Sequence, residues 1–189
     1  MHCSTSSRVS LRAFGTRRNS YPLRRDGRLY RRSGVSRFEF EYRGFLGKRR
    51  TVSFGWRYDF NVRELQETEH IPTFLLPLRR TAAKFANVSE ERLQHALVTE
   101  YAPGAPIGWH RDRPEFEDVI GISLGAPCLF RFRRKKGTRW ERASIELQPR
   151  SIYLLRRPVR MDWLTSFAIP SRSEACVSRL NDDPSHWQC

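Results

Sequence analysis

Residues 118–155 read DVIGISLGAPCLFRFRRKKGTRWERASIELQPRSIYLL. DVIGISLG (118–125), PCLFRFRR (127–134), ASIELQ (143–148) and RSIYLL (150–155) are strand-length segments separated by breaks that carry Gly or Pro. FRFRRKKG turns the chain back as an aromatic, basic hairpin. Several short strands with no long helix between them predict an antiparallel barrel or jelly roll. LVTEY (97–101) adds a strand upstream and delivers the chain to a turn at Pro103 and Gly104.

Between that strand and the run at 118 lies YAPGAPIGWHRD, Tyr101 to Asp112, which ends in His-x-Asp. On an extended strand this spacing puts His110 and Asp112 on one face. At the mouth of a sheet the two would be candidate catalytic and metal ligands, two of the three in a facial triad that leaves a metal's other positions open. The competing interpretation is a surface histidine beside a salt-bridged aspartate. His70 and His95 are the rival ligands, and His95 fits packing or capping better. Arg111 and Arg113 flank the pair and are candidates for substrate phosphate, against an exposed loop paired to Glu115 and Glu117.

Earlier in the chain, Phe38, Phe40 and Tyr42 alternate with Glu39, Glu41 and Arg43 as in a half-buried strand, and Gly44 and Gly47 punctuate a hairpin. In TVSFGWRYDFN, Trp56, Tyr58 and Phe60 interleave with Arg57 and Asp59. Trp56 and Tyr58 are candidate substrate contacts, since rings beside basic residues suit base stacking next to phosphate. Their alternative place is in a core. Leu75, Leu78, Ala82 and Phe85 fall on one helical face in a stretch opened by Pro72, with Pro77 as the other start. Ser89, followed by Glu90 and Glu91, predicts an N-cap and a short helix through His95.

The chain has 189 residues, enough for one domain with a core. No apolar run approaches the ~18 residues of a membrane span. A net charge of +15 favours a polyanionic partner such as nucleic acid over a membrane. Four cysteines without CxxC spacing argue against a disulfide framework and fit a reducing, cytoplasmic setting. The charge is concentrated at the start, where residues 1–37 hold ten arginines, no lysine and a single acid, Asp26. Residues 1–36 read as a disordered or poorly packed basic segment, with the composition of a nucleic-acid-binding arm or a transit peptide.

Over residues 37–163, the Pro-Gly turn before His110, the apolar run after Asp112 and the FRFRRKKG hairpin resemble the AlkB-like family of iron(II)/2-oxoglutarate dioxygenases. The resemblance implies a mainly β fold with flanking helices, a double-stranded β-helix (jelly roll) spanning residues 37–166. It implies Fe(II), 2-oxoglutarate and O2 as cofactor and cosubstrates. It further implies oxidative demethylation of alkylated DNA or RNA bases by a monomer. Tyr101 stands where the family binds 2-oxoglutarate, whereas Thr99 stands where several members have asparagine. Trp56 and Tyr58 fall where a nucleotide-recognition lid lies.

After RSIYLLRRPVRMDW the resemblance stops. The family expects R-H-S-I-P, whose histidine is the third iron ligand, and then a Gly-Leu-Arg strand with a second arginine. This chain reads LTSFAIPSRSEACVSRLNDDPSHWQC, and the later histidine, His186, lies in a polar tail. Arg172 and Arg179 do not stand in the expected strand pattern. The codons for Phe167 to Leu180, read across their boundaries with suitable bases, can spell R-H-S-I-P-V-R-G-L-R-I-S-V. We therefore expect a frameshifted terminus, a roll incomplete at its C-terminal end and an aberrant, disordered stretch over 167–189. Two other functions stay open: a catalytically inactive nucleic-acid-binding relative lacking the distal ligand, and an oxygenase of the same fold acting on a protein or small molecule.

Overall fold

The computed structural model describes residues 14–17, 39–42, 45–60, 62–169 and 175–182. The strands β1 (Phe14–Arg17), β2 (Glu39–Tyr42), β3 (Phe45–Phe54), β4 (Trp56–Asp59) and β5 (Glu64–Glu67) come first. A 3-10 turn, Thr73–Leu75, leads into helix α1 (Leu76–Ala86). Next come β6 (Leu93–Tyr101), β7 (Pro106–His110), β8 (Val119–Ser123), β9 (Cys128–Lys136), β10 (Arg139–Leu147) and β11 (Ser151–Leu155). The chain continues with α2 (Arg157–Asp162), β12 (Leu164–Ala168) and β13 (Ala175–Asp182).

The seven-stranded sheet has the order β1-β11-β8-β13-β6-β3-β2, and the four-stranded sheet the order β10-β9-β12-β7. All their pairings are antiparallel. The two sheets close on a shared core that includes Tyr101, Val119 and Tyr153 from the large one and Ile107, Phe130 and Phe167 from the small one. This is a jelly roll, with no closed barrel. Helix α1 covers the outer face of the large sheet, placing Leu78, Ala82 and Ala83 on Ala96, Val98, Ile120, Ile122 and Ile152.

The two strand patterns in the sequence follow from this layering. Strand β8 is buried at every position because helix and small sheet cover its two faces. In β9, Cys128, Phe130 and Phe132 are buried while the residues between them are not, since only one face meets the core. Burial pushes the Cys128 thiol up to about 12, so it packs there as a neutral group.

Gly121 in β8 pairs with Tyr153 in β11, and a Cβ at this position would fall inside the Tyr153 ring. Gly121→Ala should therefore cost about 3 kcal/mol, the upper range for overpacking a close-packed core. A thermal melt is expected to show Tm lower by roughly 6–12 °C. An unchanged melt would mean that the ring can move aside.

Several expectations are corrected. The basic N-terminal segment contributes β1, which pairs with β11 as an edge of the large sheet. The rest of residues 1–36 lies outside the described residues. The C-terminal stretch expected to be unpaired and disordered supplies β13, inserted between β6 and β8. Its ladders run on both sides, with Val177 opposite Thr99 and Ser123, and Leu180 opposite Ala96 and Ile120. Backbone pairing to two neighbours holds such a strand although its own sequence does not alternate cleanly between apolar and polar residues. Leu180 is buried in the core beneath α1. Residues 170–174 and 183–189, His186 among them, lie outside the described residues. Helix α1 has Pro77 in its first turn, as the second of the two proposed starts requires. The helix expected after Ser89 is only a 3-10 turn, Glu90–Arg92, because the chain enters β6 at Leu93.

Candidate metal and substrate site

His110 ends β7, an edge strand of the small sheet, and Asp112 follows in the loop to β8. Their side chains converge: His110 Nε2 lies 3.5 Å from Asp112 Oδ1, with the two side chains 31% and 13% exposed. His110 Nδ1 is 2.9 Å from the Gly108 carbonyl oxygen. An oxygen acceptor there calls for a proton on Nδ1, and in the neutral imidazole that a metal requires this leaves Nε2 as the electron-pair donor on the side of the carboxylate. A second contact of this kind is the usual support of a metal-bound imidazole.

The loop after His110 is held from three directions. Phe116 stacks on His95 at 4.6 Å between ring centroids. Arg160 of α2, 3% exposed, donates to the carbonyl oxygens of Arg113 and Phe116, the latter at 2.9 Å. Arg156 donates to both oxygens of buried Asp118, Oδ1 at 3.1 Å and Oδ2 at 2.8 Å. These contacts fix the backbone that carries Asp112. None of Phe116, Asp118, Arg156 or Arg160 was a sequence candidate; Arg156 caps the short helix from an extended residue and Arg160 lies within it, and no local pattern marks either.

Arg113 donates to Glu115 Oε1 at 2.7 Å and also to the Tyr58 hydroxyl, its guanidinium lying 4.0 Å from the Tyr58 ring centroid. The structure thus joins Tyr58, on the β4–β5 ribbon, to the loop carrying Asp112. The ion pair expected with Glu115 is present as well. Trp56 lies two residues from Tyr58 on the same strand and is half-buried, whereas Arg111 is exposed beside His110. Tyr101 is buried at the end of β6 in the core between the sheets, its ring 6.4 Å from that of Phe167. Thr99 is buried two residues earlier. Arg179 stands opposite Gly121 and Leu97 in register, and Arg172 lies outside the described residues. Neither rival histidine joins the pair, for His70 is exposed and His95 packs on Phe116.

A ferrous ion in a facial triad needs a third protein ligand. Among the described residues no group of three or more His, Cys, Asp or Glu side chains could hold a metal. Across the ladder from His110 stands a threonine: Thr165 of β12 is directly opposite His110 on one side and Phe132 on the other. Thr165 is 4% exposed, and its Oγ1 has no hydrogen-bond partner among the described residues. His110 and Asp112 fit a ferrous ion; the described ligand set, ending in a threonine, does not fit a complete triad.

Three comparisons bear on this arrangement. The family model of the 2OG-Fe(II) oxygenase superfamily matches residues 14–180. An uncharacterized protein of Acanthamoeba polyphaga mimivirus is 30% identical over 87 residues, a span of 45% of this chain and 40% of that relative. The structure of OsALKBH1 superposes with a TM-score of 0.68 at 13% identity, covering 90% of this chain and 97% of the other. The resident cofactor and cosubstrates of the superfamily are Fe(II), 2-oxoglutarate and O2. With a jelly roll, a converging His110 and Asp112 at its mouth and a family match over nearly the whole length, the chain belongs to the 2OG-Fe(II) oxygenase superfamily of dioxygenases, with an AlkB-like fold.

Proposed function

We propose that this dioxygenase domain acts on nucleic acid, removing alkyl groups oxidatively from bases in DNA or RNA. The observation that carries this is the contact between Arg113 and Tyr58. It ties an aromatic ribbon to the loop of Asp112, so that a guanidinium and a ring flank the ligand pair in a chain of net charge +15. Trp56 and Tyr58 supply the stacking surface, Arg111 and Arg113 the phosphate contacts, and Tyr101 the cosubstrate hydrogen bond. A base in a duplex must be flipped out to reach such a site, so single-stranded substrate is the easier one. The setting is cytoplasmic.

The test is formaldehyde and succinate release from N-methylated oligonucleotides, with Trp56→Ala as the comparison. Release that falls with Trp56→Ala supports the proposal. Turnover of a protein or small molecule, with none of methylated oligonucleotides, would move the activity to another substrate class. Thr165 opposite His110 favours a second function, a nucleic-acid-binding relative without turnover. That version predicts oligonucleotide binding without formaldehyde from the chain as it stands.

A further inference from the structure

The outer face of the small sheet carries a ladder that the site does not use. Trp109 of β7 lies next to His110 in sequence. The Arg133 guanidinium lies between two indoles, 4.5 Å from the Trp109 centroid and 4.6 Å from the Trp140 centroid. Arg131 stands 5.3 Å from Trp109 and donates to Ser166 Oγ at 2.8 Å. Arg142 is directly opposite Arg133 in the β9–β10 register, and Lys135 is opposite Trp140.

Facing like charges destabilise a sheet, and a sheet that evolved only for stability would place an acid in one of those positions. Among the described residues no carboxylate pairs with Arg131, Arg133, Lys135 or Arg142. The buried Nε atoms of Arg131 and Arg133 have no partner there either. Indole stacking holds a guanidinium plane still while its donor edge remains available to a phosphate. Trp140, 41% exposed, offers a ring face for a base. Strand β7 is the sheet's edge, with Trp109 and the ligand His110 as neighbours on it.

We infer that this outer face binds the phosphodiester backbone of a single-stranded nucleic acid, which crosses Arg142, Arg133 and Arg131 and passes over the β7 edge to the mouth of the roll. The inference rests on the proposal that the substrate is nucleic acid, and adds a binding surface outside the roll.

Arg142→Glu provides the test because structure and binding predict opposite signs. Its side chain is exposed, and an acid opposite Arg133 would relieve the like-charge pair, so Tm should hold or rise. Binding of fluorescein-labelled oligothymidylate, followed by anisotropy across a salt series, should weaken roughly tenfold at low salt. The log–log salt slope should fall by about one to two units as phosphate contacts are lost. Arg142→Lys, which keeps the charge, should retain both values. Wild-type binding with unchanged affinity and slope in Arg142→Glu would overturn the inference and leave the nucleic-acid substrate standing. No binding of oligothymidylate by the wild type would overturn both.

Discussion

Thr165→His is expected to tighten Mn(II) binding, with Mn(II) standing in for Fe(II), by on the order of 100-fold. The magnitude follows from what lesser changes do: losing a partner that only orients a metal ligand costs about 10–100-fold in affinity. A new imidazole in direct contact should give at least the upper end of that range. Directly opposed residues of an antiparallel pair have Cβ atoms about 5 Å apart on the same face, so a histidine at 165 can reach the point that His110 addresses. The threonine hydroxyl already there is neutral and a poor donor to a divalent ion by comparison. The measurement is Mn(II) titration by electron paramagnetic resonance, which needs no turnover. Unchanged affinity would show that the third place is not at residue 165 and that the ligand, if any, comes from residues outside those described.

Arg160→Ala, a change on α2, should be strongly damaging to the loop that carries Asp112. It removes a buried guanidinium from two backbone carbonyls and leaves both without that donor. Charge-assisted hydrogen bonds of this kind contribute about 1.5–3 kcal/mol each, and an abandoned buried acceptor adds to the loss. A total near 4 kcal/mol corresponds to a Tm lower by roughly 8–16 °C in a chain of this size. Because the loop also positions the carboxylate, Mn(II) affinity should fall with stability, by about tenfold. Arg160→Lys should recover only part of either, since an ammonium lacks the planar fork that spans two acceptors. A melt within a few degrees of wild type would mean that Phe116 on His95 and Arg156 on Asp118 suffice to hold the loop.

How much of this was legible in the sequence depends on whether the cause was local. Strands such as β8 and β9 announce themselves because their side-chain pattern records which faces are covered. The approach of His110 to Asp112 followed from their closeness in the chain, but it is made across the end of β7, with Asp112 in the loop, and not along one face of a strand. Strand β13 was not legible: ACVSRLND has little strand character of its own, and its order comes from β6 and β8, which lie far away in sequence. Strand β1 was hidden likewise, as four residues inside an arginine-rich segment that pair with β11. Thr165 shows the same limit in the site. Nothing beside it in the chain marks it as the neighbour of His110; only cross-strand register does. Arg160 and Arg156 looked like two more members of a basic chain until their carbonyl and carboxylate partners, more than 35 residues away, were in view.

Asp112→Ala provides the sharpest examination of the metal site, read by Mn(II) resonance beside His110→Ala and the wild type. If the imidazole and the carboxylate hold one ion between them, the wild type gives a saturable signal of one Mn(II) per chain, and either substitution weakens it by about 100-fold or more. Equal Mn(II) affinity in all three proteins would contradict the site placed at the mouth of this roll.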